Sequence, residues 1–352
     1  MRNWIVAGIL SIATVGSASA KCGGDFDVFV DGLKKEARNL GYTRNLVNSF
    51  FDGVAQDQKT LKADRAQGIF TKPFLDFANA VISDYRMNLG SKNSKKYNAV
   101  FDQAMATYGV SRGVLLAFWA LETDFGGFQG NFNTRDSLVT LAHDCRRPEL
   151  FRPQIFAAME LTKRGDFDPK GTTGAWAGEI GMVQMLPEDI LEFGVDGDRD
   201  GLVSLKTSAP DALLSGAHML QNLGWRAGEP WLQEVILPRN FDVSLTGIAT
   251  KLTVKEWGRK GIKATHGRLA NADLPASIII PQGQGGPAFI AYPNFDVFFE
   301  WNQSFTYVTA AAYFATRLEG IPPLDPGSPQ TGLSQPQMKQ LQSKLQSRGY
   351  DR

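Results

Sequence analysis

One carboxyl residue is distinguished by its surroundings in the sequence. Glu122 ends an almost continuously apolar segment, Val114 to Leu121, and is followed closely by Phe125 and two glycines. In a helix, Phe118 and Trp119 share its face, because they precede it by four and three residues. Burial against aromatic rings raises the pKa of a carboxyl group, so the pattern suits a general acid. The alternative is an ordinary glutamate that reaches solvent or pairs with an arginine.

A second group of oxygen-bearing residues has the spacing of a calcium-binding loop. Its first half supplies three carboxylates, a turn glycine and a backbone carbonyl at the EF-hand positions, from Asp196, Asp198, Asp200, Gly201 and Leu202. The second half departs from that pattern, because Thr207 stands in place of the closing glutamate and the nearest later carboxylate is Asp211. An acidic turn that holds no ion is the alternative.

Composition narrows the classes of function. Lys and Arg number 37 against 36 Asp and Glu, for a formal net charge of +1. This balance predicts no general attraction to phosphate backbones, so no nucleic acid partner is expected. The 3 histidines and 2 cysteines have none of the short spacings of zinc or iron–sulfur sites, so no cofactor is expected for catalysis.

The first twenty residues have the pattern of a secretory signal peptide. Arg2 is followed by the apolar run Ile5 to Val15, and Ala18 and Ala20 are small residues at the −3 and −1 positions of a cleavage site. Cleavage is therefore predicted after Ala20. No later stretch reaches the roughly 18 apolar residues of a membrane span, so an exported chain without a span is expected.

The two cysteines gain significance from the predicted export. Oxidising compartments allow disulfides to persist, so we expect Cys22 and Cys145 to be joined. Two free buried thiols are the alternative. Lipid attachment to Cys22 is less favoured, because Lys21 is a poor residue for the cleavage that precedes a lipidated cysteine.

Helical periodicity dominates the elements that must position these residues. Residues 26–111 have apolar positions three or four apart, which predicts several short helices. Further helices are predicted over 112–123, 153–163, 182–193 and 211–223, and helical texture returns over 295–318. Short β-rich runs such as 231–237, 245–252 and 277–281 indicate a β-containing insertion at about 226–291. The predicted fold class is mainly α (α+β), followed by a Pro-rich linker, 323–332, and a C-terminal helix, 333–352.

Three segments resemble, in order, motifs of the lytic murein transglycosylase B family. They are the segment 118–126 around Glu122, the glycine-rich stretch 174–187 that contains Gln184, and the segment 292–307. The resemblance covers about 26–322. It implies a lysozyme-like catalytic core with additional N-terminal helices, within a catalytic region of 21–322.

The resemblance assigns roles to individual residues. Glu122 matches the single catalytic acid/base, Gln184 a substrate-contacting glutamine, and Tyr307 a tyrosine of the cleft. Three further predicted substrate-binding positions depart from the pattern: Ala175 where many relatives have serine, and Met219 and Trp301 where tyrosine is common. The lost hydroxyls remove hydrogen-bond donors, whereas the Trp301 ring retains an aromatic face that can stack on a sugar.

The implied activity needs one carboxyl group, whereas ordinary glycosidases use two. A periplasmic lytic transglycosylase cleaves the β-1,4 bond between N-acetylmuramic acid and N-acetylglucosamine in peptidoglycan glycan strands and leaves 1,6-anhydromuramoyl ends. The family also carries a metal loop with a late aspartate, so the resemblance implies Asp211 as the candidate closing ligand of a structural calcium site. The C-terminal helix resembles a truncated peptidoglycan-binding repeat. The alternatives are a hydrolytic muramidase and a non-catalytic peptidoglycan-binding protein.

Overall fold

The computed structural model describes residues 21–66 and 72–350. The predicted signal peptide, 1–20, lies outside the described residues. The chain forms two compact units: the first has described residues 21–66 and 131–178, and the second has 72–130 and 179–350. The predicted catalytic region, 21–322, therefore comprises both units.

The secondary structure of the described residues is mainly helical. The helices are α1 Phe26–Asn39, α2 Arg44–Phe51, α3 Gln58–Arg65, α4 Phe74–Val81, α5 Asp84–Lys96, α6 Asn98–Tyr108, α7 Arg112–Thr123, α8 Thr134–His143, α9 Pro148–Arg164, α10 Pro187–Phe193, α11 Ala209–Asn222, α12 Val254–Arg259, α13 Pro293–Trp301, α14 Phe305–Leu318 and α15 Gln335–Gln346. The strands are β1 Phe132–Asn133, β2 Thr173–Gly174, β3 Leu232–Ile236, β4 Leu252–Thr253, β5 Lys263–Ala264, β6 Pro275–Ile279 and β7 Phe289–Ala291.

The first unit is built from α1, α2, α3, α8 and α9 with the short antiparallel pair β1–β2. Arg135 of α8 is 3% exposed and donates to the carbonyl oxygens of Phe50 and Asp52, each at 2.9 Å. This buried cation satisfies carbonyl groups at the end of α2 that would otherwise lack partners. Cys22 and Cys145 form the expected disulfide, which ties the start of the described chain to the loop between α8 and α9.

The second unit has α7 at the centre of its core. Most side chains of α7 are buried, as its nearly all-apolar sequence predicts, and its bounds match the predicted ones. Helices α6, α11, α13 and α14 contribute to the same core. Within the described residues no single helix is long and apolar enough to cross a membrane. The bent pair α6 and α7 reaches the required length and apolar composition only when the two helices are taken together.

A five-stranded antiparallel sheet in the order β4-β6-β7-β3-β5 completes the second unit. Its strands all lie within the predicted insertion, 226–291. The sheet has a core of its own, in which the fully buried Trp257 donates its indole N–H to the carbonyl of Ala276 at 2.8 Å. The run 245–252 is mostly not strand, since a short 3₁₀ helix, Val243–Leu245, precedes β4.

Several predicted boundaries are wrong, for local reasons. The helix expected over 182–193 begins only at Pro187, because a bridge between Ile180 and Met185 closes a tight turn and the residue before proline is extended. Helical texture over 295–318 is interrupted where Asn302 adopts extended dihedrals, which separates α13 from α14. Helices α9 and α11 are longer than predicted at their N-termini, where proline occupies an early helical position.

The segment predicted as a proline-rich linker, 323–332, packs against other residues of the second unit. The amide of Leu324 donates to the Tyr313 hydroxyl at 2.9 Å, and the amide of Ser328 donates to the carbonyl of Gly285 at 2.7 Å. A Cβ atom on Gly285, whose φ is +80°, would lie 2.5 Å from the Ser328 carbonyl oxygen. Glycine is therefore required where the turn and the linker cross.

Candidate active site

Glu122 is the penultimate residue of α7 and is partly buried. The helix ends because Asp124, Phe125 and Gly126 all have left-handed backbones, with φ of 52°, 58° and 85°. Such a run is costly for residues other than glycine and persists only when neighbours hold it. Thr123 supplies that support, since its Oγ1 accepts from the Gly126 amide at 2.9 Å and donates to the Met182 carbonyl at 2.6 Å.

Two donors from other helices converge on a single oxygen of Glu122. The Tyr307 hydroxyl, in the first turn of α14, donates to Oε1 at 2.6 Å. The indole N–H of Trp301, the last residue of α13, donates to the same oxygen at 3.0 Å. When the carboxyl group is protonated, these two bonds favour the proton on Oε2, because Oε1 is the acceptor.

The surroundings of Glu122 shift its pKa upward, toward the protonated form. Burial raises its pKa, and the hydrogen bonds from Tyr307 and Trp301 oppose the rise without cancelling it. Burial also raises the pKa of Tyr307 well above its ordinary value, and the adjacent Glu122 raises it further. Tyr307 therefore keeps its proton and remains a donor. A raised pKa is what a carboxyl group needs in order to act as a general acid.

Trp301 occupies a position that only the structure reveals. Its ring stacks on Phe118 with centroids 4.3 Å apart and 28° between the planes. On the neighbouring helix, a Cβ atom at Gly216 would lie 3.9 Å from the far edge of the indole. Phe118 covers one face of the Trp301 ring, so only the opposite face could stack on a sugar, as the sequence predicts. The indole N–H supplies a donor to the acid.

The predicted Gln184 lies in the tight turn that precedes α10. Its backbone is left-handed, with φ of 52°, and its side-chain amide donates to the carbonyl of Gly181 at 2.7 Å. The same turn contains Met182, the residue to which Thr123 is bonded. The turn is therefore attached to the end of α7 that carries Glu122.

Asp124 is directed to a separate partner. Arg86 of α5 donates through Nε to its Oδ1 at 2.9 Å, and the two side chains are 22% and 39% exposed. The ion pair gives Asp124, the carboxylate nearest to Glu122 in the sequence, a structural partner.

The two remaining predicted substrate-binding residues belong to different units. Met219 is a partly buried residue of α11 in the second unit, three residues after Gly216. Ala175 follows β2 in the first unit and is partly buried. Glu122, Trp301, Tyr307 and the Gln184 turn thus form one cluster in the second unit, and Ala175 belongs to the other unit.

The acidic loop brings three predicted ligands together. Carboxylate oxygens of Asp196, Asp198 and Asp211 lie within 4.8 Å of one another. Asp211 is fully buried in the first turn of α11, and its two oxygens accept from the amides of Gly197 at 2.9 Å and Ser204 at 2.7 Å. Three hard oxygen donors on a loop closed in this way fit a calcium ion.

Asp200, a fourth predicted carboxylate ligand, is not part of that cluster. Its Oδ1 accepts from the amide of Leu202 at 2.9 Å. The turn thus follows the EF-hand spacing in its first half, while Asp211 occupies the closing position.

Sequence reasoning missed two supporting residues. The only sequence feature that could have pointed to Thr123 is its position next to Glu122. No sequence feature points to Arg86, because its partner Asp124 is 38 residues away. A cavity of about 560 Å³ also lies in the second unit, lined among others by Trp231, Tyr313 and Glu319. None of the predicted site residues lines this cavity, so its size does not mark the reaction site.

Most of the chain matches a known protein family. A family model described as Transglycosylase SLT domain matches residues 25–316. The chain is 25% identical over 217 residues to membrane-bound lytic murein transglycosylase B of Escherichia coli K12, over 61% of this chain and 59% of that protein. The match thus spans less than two thirds of the curated relative.

Solved structures of similar fold include three lytic transglycosylases. SltB3 from Pseudomonas aeruginosa, in complex with NAG-NAM-pentapeptide, has a TM-score of 0.86 and 32% identity, over 94% of this chain and 89% of that one. SltB1 from the same organism has a TM-score of 0.72 and 25% identity, over 82% and 97% of the two chains. An Escherichia coli lytic transglycosylase in complex with calcium shares the fold, with a TM-score of 0.71 and 22% identity over 85% and 96%.

The predicted mainly α fold with a lysozyme-like core is confirmed by these structures. The family match extends across both units and includes Glu122, Gln184, Trp301 and Tyr307. It agrees with the family that the three sequence motifs resemble. The chain belongs to the transglycosylase SLT domain family.

Proposed function

We propose that this protein is a lytic transglycosylase that cleaves peptidoglycan glycan strands with Glu122 as its single acid and base. The observation that carries the proposal is one carboxyl group, whose pKa is raised by burial, with two donors on the same oxygen. Its sequence neighbour Asp124 is paired with Arg86 and is not free to act as a second carboxylate. Family membership and the sugar–peptide complex of SltB3 support the same substrate class.

In the first step, Glu122 acts as a general acid. The proton on Oε2 passes to the glycosidic oxygen between N-acetylmuramic acid and N-acetylglucosamine, and the bond from that oxygen to the muramic acid C1 breaks. The electron pair of the broken bond stays with the leaving oxygen. Positive charge develops at C1, and the new carboxylate is stabilised by Tyr307 and Trp301.

In the second step, the same carboxylate acts as a base. It removes the proton from the C6 hydroxyl of the same muramic acid, and the oxygen bonds to C1. The product carries a 1,6-anhydro ring, and Glu122 is protonated again. Water is not consumed, so one carboxyl group is sufficient, in contrast to the paired carboxylates of hydrolytic glycosidases.

The substrate-binding roles follow from position and chemistry. We assign Gln184 to contact the sugar near the acid, because its turn is bonded to the end of α7 through Thr123 and Met182. Tyr307 and Trp301 act mainly through the carboxyl group. Ala175 and Met219 lack the hydroxyl groups common in relatives. Any contact that they make with the glycan strand is therefore apolar.

A calcium ion is proposed at the acidic loop. Asp196, Asp198 and Asp211 would hold it, with Asp200 and the carbonyl of Leu202 as further donors at the turn. The ion would neutralise adjacent carboxylates and stabilise the connection between α10 and α11. A related fold has been solved with calcium. No catalytic step passes through the ion.

The proposed location is the periplasm. Peptidoglycan lies in the cell envelope, and the pattern of residues 1–20 is that of a signal peptide cleaved after Ala20. The disulfide between Cys22 and Cys145 agrees with an oxidising compartment. The tail helix α15 is assigned to wall attachment, with 323–332 as its connection to the catalytic region of 21–322.

Mass spectrometry of the products tests the proposal. Purified peptidoglycan digested by the mature protein should yield anhydromuramoyl ends. The Glu122→Gln variant should release about 10²–10⁴-fold less product, since it retains the shape of the side chain and loses the transferable proton. Asp124→Asn is the matched control and should stay near wild type. Reducing ends would indicate a hydrolytic muramidase, and intact strands a non-catalytic binding protein.

A further inference from the structure

The two helices that carry the proposed acid and its donor meet at both ends. Tyr307, near the start of α14, bonds to Glu122 near the end of α7. At the opposite end, Glu319, which follows α14, accepts a hydrogen bond from the Gly113 amide of α7 at 2.7 Å. The helices therefore run antiparallel, with one contact at the chemistry and one at its far end.

Gly113 permits an unusually close approach of the two backbones. A Cβ atom at this position would lie 2.6 Å from the carbonyl oxygen of Ala315 and 2.7 Å from Cγ of Glu319. Both separations are too short for real carbon contacts, and the first involves backbone that cannot rotate away. Only glycine allows the last turn of α14 to lie this close to the first turn of α7.

Glu319 also supplies the cap that the local sequence of α7 does not. The N-cap residue Ser111 makes no side-chain cap bond, and its Oγ has no hydrogen-bond partner among the described residues. Amide groups in the first turn of a helix lack internal acceptors and carry partial positive charge. A carboxylate from 206 residues further along the chain therefore satisfies one of these amides.

We propose that the Gly113–Glu319 contact is a positioning device that sets how far α7 lies along α14, and thereby sets the Tyr307–Glu122 hydrogen bond. The inference rests on the proposed function of Glu122. The 12 residues of α7 span about 18 Å and lie in a close-packed core, so a displacement at one end is transmitted to the other. Glu319 is a positioning residue and does not touch the reacting atoms.

A matched pair of glycine substitutions tests the device. Gly113→Ala adds a methyl group at the close approach, whereas Gly258→Ala adds the same group to α12, where nothing lies within 4 Å. Both changes raise intrinsic helix propensity, so propensity alone predicts no loss in either. We expect kcat to fall by about 10–100-fold in Gly113→Ala with KM little changed, as for a misplacement of about 1 Å, and no change in Gly258→Ala.

A second pair keeps the test informative if Gly113→Ala does not fold. Glu319→Gln retains an oxygen that accepts from the Gly113 amide, and Glu319→Ala removes it. Glu319→Ala should lower kcat, and Glu319→Gln should restore most of it. Thr253→Ala removes an equivalent cap from α12. It should lower thermal stability about as much as Glu319→Ala does and leave kcat unchanged.

Crystal structures of the variants separate this inference from the proposed function. The distance between Tyr307 Oη and Glu122 Oε1, 2.6 Å in the native protein, should lengthen in Gly113→Ala and Glu319→Ala and stay unchanged in Gly258→Ala. An unchanged distance, or equal kcat in the two glycine variants, would overturn the positioning role. A native protein that fails to cleave glycans would refute the function, and the distances would still decide the positioning.

Discussion

Removing the Tyr307 hydroxyl isolates the contribution of one hydrogen bond to the proposed acid. Tyr307→Phe deletes the 2.6 Å bond to Glu122 Oε1 and leaves the 3.0 Å bond from Trp301. A hydrogen bond to a charged group contributes about 1.5–3 kcal/mol. The carboxylate that forms when the proton leaves Glu122 loses that stabilisation, so kcat should fall by roughly 10–100-fold.

The pH profile gives the same change an independent signature. The Tyr307 bond lowers the pKa of Glu122, so its removal should raise that pKa further. The acid then stays protonated to higher pH, and the alkaline limb of kcat/KM should move upward.

The assay is turnover of soluble glycan fragments across a pH series, with Tyr313→Phe as the control. Tyr313 lies on the same helix, but its hydroxyl accepts from the Leu324 amide, remote from the acid. The control should leave both kcat and the pH profile unchanged. Native kcat in Tyr307→Phe, or an alkaline limb that moves downward, would refute the reasoning.

Three further predictions concern stability. Because the pKa of Glu122 is raised in the folded state, ionisation of Glu122 lowers the stability of the protein as pH rises. Glu122→Gln should therefore have a higher Tm than wild type at neutral and alkaline pH and lose this gain in acid. A Tm gain that grows in acid would contradict the prediction. Calcium added after chelation should raise the Tm of the native protein, and Asp211→Asn should abolish more of that rise than Asp200→Asn; equal losses would place the ion elsewhere. Removal of 333–352 should leave Tm and turnover of soluble fragments unchanged, whereas removal of 323–352 should lower Tm because the linker hydrogen bonds are lost; equal Tm values for the two truncations would show that the linker contributes nothing.

The sequence predicts best what local pattern determines. The bounds of α7 follow from a continuous apolar run and the glycines after it, and the β-containing insertion follows from short runs between turns. Glu122 could be singled out because aromatic residues at helical spacing surround it. These signals depend on neighbours within one or two turns.

Long-range packing sets the features that the sequence does not reveal. The start of α10 shifts to Pro187 because 180–185 form a bridged turn against α7, which no periodicity indicates. Trp301 is a donor to Glu122 because it stacks on Phe118, although the two aromatic residues are 183 positions apart in the sequence. The Gly113–Glu319 contact joins two helix ends 206 residues apart. Each depends on how helices dock, and docking is a property of the whole core.

Digestion of peptidoglycan in water enriched in oxygen-18 tests the central claim most directly. If Glu122 serves as acid and then as base, the C6 hydroxyl of the muramic acid replaces water as nucleophile, and the new ends form without solvent oxygen. The account predicts anhydromuramoyl products of unlabelled mass in the native digest. Products that carry one oxygen-18 at the cleaved end would show that water attacks, and would contradict the single-carboxyl mechanism.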